Sequence, residues 1–88
     1  MLPEPGSNGI IGTWSWFTGE TVEIRPDGTF SSEKNRGNWE LSDQYSRQYT
    51  LRWEVGEWID SLTLSNDGDS LSGQNQYGTT VTGTRSRI

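Results

Sequence analysis

From Ile10 onward, residues suited to reversing the chain recur about every ten positions, the spacing of a β-meander. These clusters are Gly19-Glu20, Pro26-Asp27-Gly28, Asn35-Arg36-Gly37, Gly56-Glu57, Asn66-Asp67-Gly68 and Tyr77-Gly78. Glycine accepts a positive φ without a Cβ clash, and Asp or Asn tolerates it through local hydrogen bonds. Between them lie short runs rich in Val, Ile, Thr, Trp, Tyr and Phe, and no segment holds a helical period. The pattern predicts eight strands, near Ile11–Phe17, Glu20–Arg25, Thr29–Ser32, Asn38–Ser42, Gln48–Val55, Trp58–Ser65, Ser70–Asn75 and Thr79–Arg85. Connections this short make sequential neighbours antiparallel. A meander with free ends exposes two edges, and closing it into a barrel removes both. The expected fold is therefore all-β, a small up-and-down antiparallel barrel of eight short strands without a helical lid.

Alternation assigns the faces. Tyr49, Leu51, Trp53 and Val55 share one side of the fifth strand, with Thr50, Arg52 and Glu54 on the other. This is the period-two signature of a half-buried strand. The same rule turns Val22, Ile24, Phe30, Trp39, Leu41, Leu62, Leu64, Leu71 and Val81 inward. Hydrophobic residues are only 28% of the chain, yet five Trp, three Tyr and two Phe supply the missing area. Each buried ring removes roughly 150–250 Å² from water, so the core is expected to be aromatic. Ile24–Gly28 and Leu64–Gly68 echo one another, each followed by a glycine (Gly37, Gly78), which fits either duplication of a four-stranded half or shared hairpin chemistry.

Charge and residue usage narrow the function. Seven basic against twelve acidic residues give a net charge of −5, which repels nucleic-acid backbones and anionic membrane surfaces. No run of about 18 apolar residues is present to insert as a helix. Neither cysteine nor histidine occurs, so thiolate chemistry and the commonest general base and transition-metal ligand are missing. Residues 1–9 lack the basic start and apolar stretch of a signal peptide. They are expected to form a tail or linker ahead of a single domain over 10–88, with the compartment left open and a place in a larger exported protein compatible with this start.

At Gly12-Thr13-Trp14 the chain resembles the calycin signature, a Gly-x-Trp in the first strand whose indole closes one barrel end. Asp27-Gly28-Thr29-Phe30, Gly37-Asn38-Trp39, residues 49–53, residues 60–65, Leu71-Ser72-Gly73 and Gly83-Thr84-Arg85 extend a resemblance to short bacterial lipocalin-like modules over residues 10 to 86. The resemblance implies that Arg85 packs over the face of Trp14. A guanidinium stacked on indole gains about 0.5–2 kcal/mol, so the pair would latch the terminal strands together. The chain is shorter than full-length lipocalins and lacks the helical lid of fatty-acid-binding proteins, so neither family's ligand carries over.

Candidate site residues follow from the faces. Trp14, Trp39 and Trp53 are expected in the core. Trp58, beside the Gly56-Glu57 turn, lies at the rim opposite the latch and with Trp16 or Tyr77 would form an exposed aromatic platform. Asp60 and Asn75 have inward parity and need partners, whether a ligand, Arg47, Arg52 or backbone amides. The pairs Glu20 with Glu23 and Glu54 with Glu57 read as solubilising surface charge rather than a catalytic dyad. Asn66–Asp69 reads as a hairpin turn rather than a Ca²⁺ loop, since it lacks the distal Glu. Serines lack a base, Lys34 being the single lysine. The sequence thus predicts a non-enzymatic module that holds a small apolar or amphipathic ligand at the barrel mouth through Trp58, Trp16, Tyr77, Asp60 and Asn75, with no cofactor and no metal. The alternatives are a structural or self-associating domain, acting as a homo-oligomer, and a carbohydrate-binding accessory module with a glycan as partner.

Overall fold

A computed structural model describes residues 9–86 and contains eight strands. They are β1 (Gly12–Trp16), β2 (Thr21–Ile24), β3 (Thr29–Ser31), β4 (Arg36–Asp43), β5 (Gln48–Trp53), β6 (Ile59–Leu64), β7 (Ser70–Asn75) and β8 (Thr80–Arg85). Each pairs antiparallel with its sequence neighbour, and β1 pairs with β8, so the sheet is a closed up-and-down barrel. The tail expected over 1–9 lies, apart from Gly9, outside the described residues.

The turns explain the register. In Arg25-Pro26-Asp27-Gly28 the Gly28 amide donates to Arg25 O (3.3 Å) and Arg25 N donates onward to Thr29 O (2.9 Å), with Gly28 at φ 93°. Such a reversal, ending on a left-handed glycine, matches the twist of the strands it joins. Asp27 secures it by accepting from the Thr29 hydroxyl and amide, and these bonds hold its carboxyl below the ordinary value. The same bond from glycine to the residue three positions earlier recurs at Trp16–Gly19, Ser65–Gly68 and Asn75–Gly78. The echo between Ile24–Gly28 and Leu64–Gly68 is thus a hairpin chemistry used four times. It does not extend to the following glycines, because Gly78 is a turn residue whereas Gly37 is not.

The Asn35-Arg36-Gly37 cluster predicts a turn at Gly37; it instead lies within β4, opposite Trp53. A Cβ there would fall 1.9 Å from Arg52 O and 2.8 Å from the Phe30 ring, so its missing side chain lets β4 close against β5 over Phe30. Two inward assignments also fail. Val55 is exposed, because β5 ends at Trp53 and the chain turns away at Gly56 (φ 85°) and Glu57 (φ 53°). Leu41 is exposed beside the register shift between Leu41 and Asp43, where the β4–β5 hairpin breaks its regular pairing. Trp39 is partly buried, packed against the core with its indole N–H on Arg25 O at 2.8 Å.

The remaining alternation holds. Trp14, Trp16, Val22, Ile24, Phe30, Tyr49, Leu51, Trp53, Leu62, Leu64, Leu71 and Val81 fill the interior together with Ile10. Trp53 sits at the junction of the rings, edge-on to Phe30 (4.7 Å between centroids) and to Trp16 (6.3 Å). Burial also pushes the Tyr49 hydroxyl above its ordinary range.

The topology gives the barrel two different ends. At one, Trp14 is fully buried and donates its indole N–H to Ile10 O at 2.8 Å, while the Arg85 guanidinium lies 4.5 Å from the ring centroid. Arg85 donates through Nε to Gly68 O (2.9 Å), through Nη1 to Ile11 O (2.9 Å) and through Nη2 to Gly9 O. Asp69 lies 3.9 Å from Nε. One side chain thus ties the entry to β1, the β6–β7 turn and β8 together over the indole that plugs this end. Gly12, at φ 139°, leaves room: a Cβ would sit 2.8 Å from Arg85 Nη1. Replacing Arg85 by alanine is expected to remove about 2–4 kcal/mol of stability, the sum of cation–π and charge-assisted hydrogen bonds. Arg85→Lys should lose most of that, since an ammonium cannot present three forked donors and stack at once. Urea unfolding followed by tryptophan fluorescence measures both.

Candidate functional site

The β1–β2, β3–β4, β5–β6 and β7–β8 turns surround the other end, and among the described residues nothing equivalent to Trp14 and Arg85 plugs it. Here the barrel opens into a cavity of about 490 Å³. Its floor is Trp16, Trp53, Val81 and Asp60, all buried, and its lip carries Phe17, Val55 and Trp58, which are 51%, 64% and 42% exposed. Gly83 shapes the floor, because a Cβ there would meet the Trp16 ring at 2.8 Å. The Trp58 indole folds back over Gly56, whose hypothetical Cβ would lie 2.5 Å from Nε1. Tyr77 packs edge-on against Trp58 at 5.5 Å and 85°.

Side-chain amides and one carboxylate hold these turns in place. Asn35 donates from Nδ2 to Val55 O and accepts from Val55 N, each at 3.0 Å, pairing the β3–β4 turn with the β5–β6 turn as a strand would. Gln76 does the same from the other side, accepting from Ile59 N (2.7 Å) and donating to Glu57 O (2.9 Å). Glu33 accepts from Thr21 N at 3.0 Å, and Phe17 N donates to Thr82 O at 2.9 Å, so the ring of turns is stitched around its circumference. Bonds of this kind between turns restrict their relative movement, and a site whose walls are ordered beforehand costs a ligand less ordering entropy.

Asp60 is the one buried charged or polar residue among those described, 3% exposed. Its Oδ2 accepts the Trp53 indole N–H at 2.7 Å, which fixes both side chains at the base of the cavity. The inward orientation agrees with its parity, but the partner is neither arginine suggested by the sequence. Arg52 points outward to Glu40 (3.2 Å), and Arg47 bonds Asn66. Burial pushes the Asp60 carboxyl above its ordinary value, with the Trp53 N–H acting in the opposite direction. Asn75 lines the same cavity from β7, opposite Asp60, and its Oδ1 caps the turn by accepting from Tyr77 N (2.9 Å) and Thr79 N (3.0 Å).

Of the residues expected here, the structure brings Trp58, Trp16, Asp60 and Asn75 to one cavity, with Tyr77 behind Trp58. Trp16 is corrected in role: it is 5% exposed and forms floor, not platform, because Gly83 lets its ring lie down against the sheet. Trp53, expected in the core, is both core and cavity wall. The sequence marks Asn35 as a turn residue and Lys34 as the single lysine, but it does not bring Phe17, Lys34, Asn35 and Gln76 to the mouth, since residues in different turns carry no shared periodicity. The carboxylates of Glu20 and Glu23 do not converge on a third acidic group, and Asn66–Asp69 forms the β6–β7 turn, with Asp67 accepting from Asp69 N and the Ser65 hydroxyl. Comparison with protein-family models, with curated proteins and with solved structures returned no match.

Two outcomes are expected. Asn35→Ala and Gln76→Ala should each cost about 1 kcal/mol, and hydrogen exchange at the Val55 and Ile59 amides should speed up while the Trp14 end is unaffected. Asp60→Asn should stabilise the protein at neutral pH by about 0.5–2 kcal/mol, because asparagine still accepts from Trp53 without a buried charge. The folded state raises the Asp60 pKa, so it binds that proton more tightly than the unfolded chain and protonation favours folding. The difference between variant and parent should therefore be full above the raised value and shrink as pH falls through it towards the ordinary 3.8. Urea unfolding at a series of pH values reads the difference.

Proposed function

We propose that the chain is a non-enzymatic binding barrel that takes a small amphipathic molecule into its open mouth. The observation that carries this reading is a preformed aromatic cup, walled by Trp16, Trp53, Phe17 and Trp58, with a buried carboxylate at its base. Pockets of this kind combine apolar walls with a few fixed polar groups that orient the ligand. The latch of Trp14 by Arg85, after the Gly12-Thr13-Trp14 run, supports placing the barrel among lipocalin-like modules, whose architecture suits such binding.

The alternatives draw on the same rim. A flat polysaccharide face calls for coplanar rings, whereas Trp58 and Tyr77 stand at 85°. Self-association through Phe17, Val55 and Trp58 would cover the mouth and make ligand binding and oligomer formation compete.

Trp16, Trp53 and Trp58 all border the cavity, so tryptophan fluorescence reports occupancy directly. Small aromatic and alkyl amphiphiles are expected to shift or quench the emission with saturation, and Trp58→Ala should weaken them by about tenfold. Absence of any saturable change, or retention on insoluble polysaccharide instead, would sink the reading. Light scattering at high protein concentration tests the self-associated form.

A further inference from the structure

We infer that the molecule taken into this cup carries a protonated amine, held by the free oxygen of Asp60, with its apolar body among the rim aromatics. The inference rests on the binding function proposed above and specifies its ligand.

Asp60 presents a buried carboxylate with no cation of its own. Oδ2 is committed to the Trp53 indole N–H, and the other oxygen has no hydrogen-bond partner among the described residues. Nor is that oxygen sealed away, since among the described residues no side-chain polar atom is both fully buried and unsatisfied, and Asp60 borders the cavity. The described arginines are engaged elsewhere: Arg25 with Glu23, Arg36 with Glu54, Arg47 with Asn66, Arg52 with Glu40 and Arg85 at the far end. Lys34 stands exposed on the lip and makes no ion pair with Asp60. A desolvated carboxylate lacking a counter-charge is unfavourable, and a cationic ligand arriving through the mouth would neutralise it.

The surroundings favour the same charge. The ionisable groups lining the cavity are Glu20, Asp60 and Lys34, two carboxylates and one ammonium. The chain as a whole carries −5. Trp16, Trp53, Phe17 and Trp58 border the cup, and an ammonium group that reaches the face of any of these rings gains from its quadrupole. A ligand carboxylate would meet Asp60 with like charge at short range, and an alcohol would gain a hydrogen bond without the ion pair.

The test uses the whole 88-residue chain, ¹⁵N-labelled, titrated at pH 7.5 with three probes of matched shape: 2-phenylethylamine, 2-phenylethanol and 3-phenylpropanoate. The indole N–H resonances of Trp16, Trp53 and Trp58 report the cup, and Trp53 reports the carboxylate. The amine is expected to bind at least about tenfold more tightly than the alcohol, with 3-phenylpropanoate weakest. Asp60→Asn should reduce the amine to the level of the alcohol. Lys34→Gln, a lip substitution outside the barrel's packed interior, should strengthen the amine and weaken 3-phenylpropanoate, and it keeps the test decisive if the Asp60 variant does not fold. In the parent protein the amine's advantage should fade on acidification as Asp60 gains its proton; Glu20 and Lys34 are the other ionisable groups that face the cup. Alcohol binding as tightly as amine, or 3-phenylpropanoate binding best, would overturn the amine assignment and leave the binding mouth standing. Failure of all three probes to move any of the three indole resonances would remove both.

Discussion

The seam between β1 and β8 is the constraint on which the rest of the barrel depends. Antiparallel pairing of sequence neighbours needs only short turns, but the first and last strands must find one another across the whole chain, and without that pairing two edges stay open. Arg85 makes the seam more than a ladder of backbone bonds. Its guanidinium covers Trp14, reaches carbonyls at Gly9, Ile11 and Gly68, and approaches Asp69, so it joins three segments that share no local sequence. Gly12 makes the approach possible, because any side chain there would occupy the space of the guanidinium. Glycine, tryptophan and arginine therefore form one device that reinforces the backbone pairing of β1 with β8.

Closing one end this firmly leaves the other end open without loss of the barrel. The turns at the mouth are tied to each other by side chains, chiefly Asn35 and Gln76, rather than by an inserted plug. The cavity therefore has rigid walls with little protein filling it. Asp60 fits this division poorly as a structural residue: a leucine of the same parity would pack the floor without desolvating a charge. A carboxylate at the base of an aromatic cup is a local cost that the surrounding packing offsets, and it is this cost that the proposed ligand would relieve.

Much of this was legible in the sequence because it depends on rules of period two and on turn chemistry. The eight strands, the inward set of β5 through Trp53, the inward aspartate and the latch all follow from local pattern or from a short motif. What escaped depends on loops meeting in space. Val55 keeps the parity of β5 but the strand stops two residues earlier, at a reversal that places Glu57 at positive φ, which no residue preference announces. Gly37 looks like its turn-forming neighbours, yet its role is to let Phe30 and β5 approach, a demand set by a strand fifteen residues away. For Asp60 the sequence offers a ligand, Arg47, Arg52 or backbone amides as partner, whereas the bond goes to the indole N–H of Trp53 on the adjacent strand, a donor that parity alone does not single out. Asn35 and Gln76 are ordinary polar loop residues until their turns are brought side by side.

The seam also has a consequence for how the chain reaches this state. The bond from Arg85 to Ile11 joins residues 74 positions apart, so the loop closed in forming it is nearly the entire domain. Loop-closure entropy of that size is met before the contact repays it, which places such topologies among the slower folders of their length. During synthesis, β1 through β7 can pair as a meander while the chain emerges, but its two unpaired borders persist until β8 has cleared the ribosome. Until then the polypeptide is an open sheet, and whatever shields those borders from other nascent sheets governs how much of it matures.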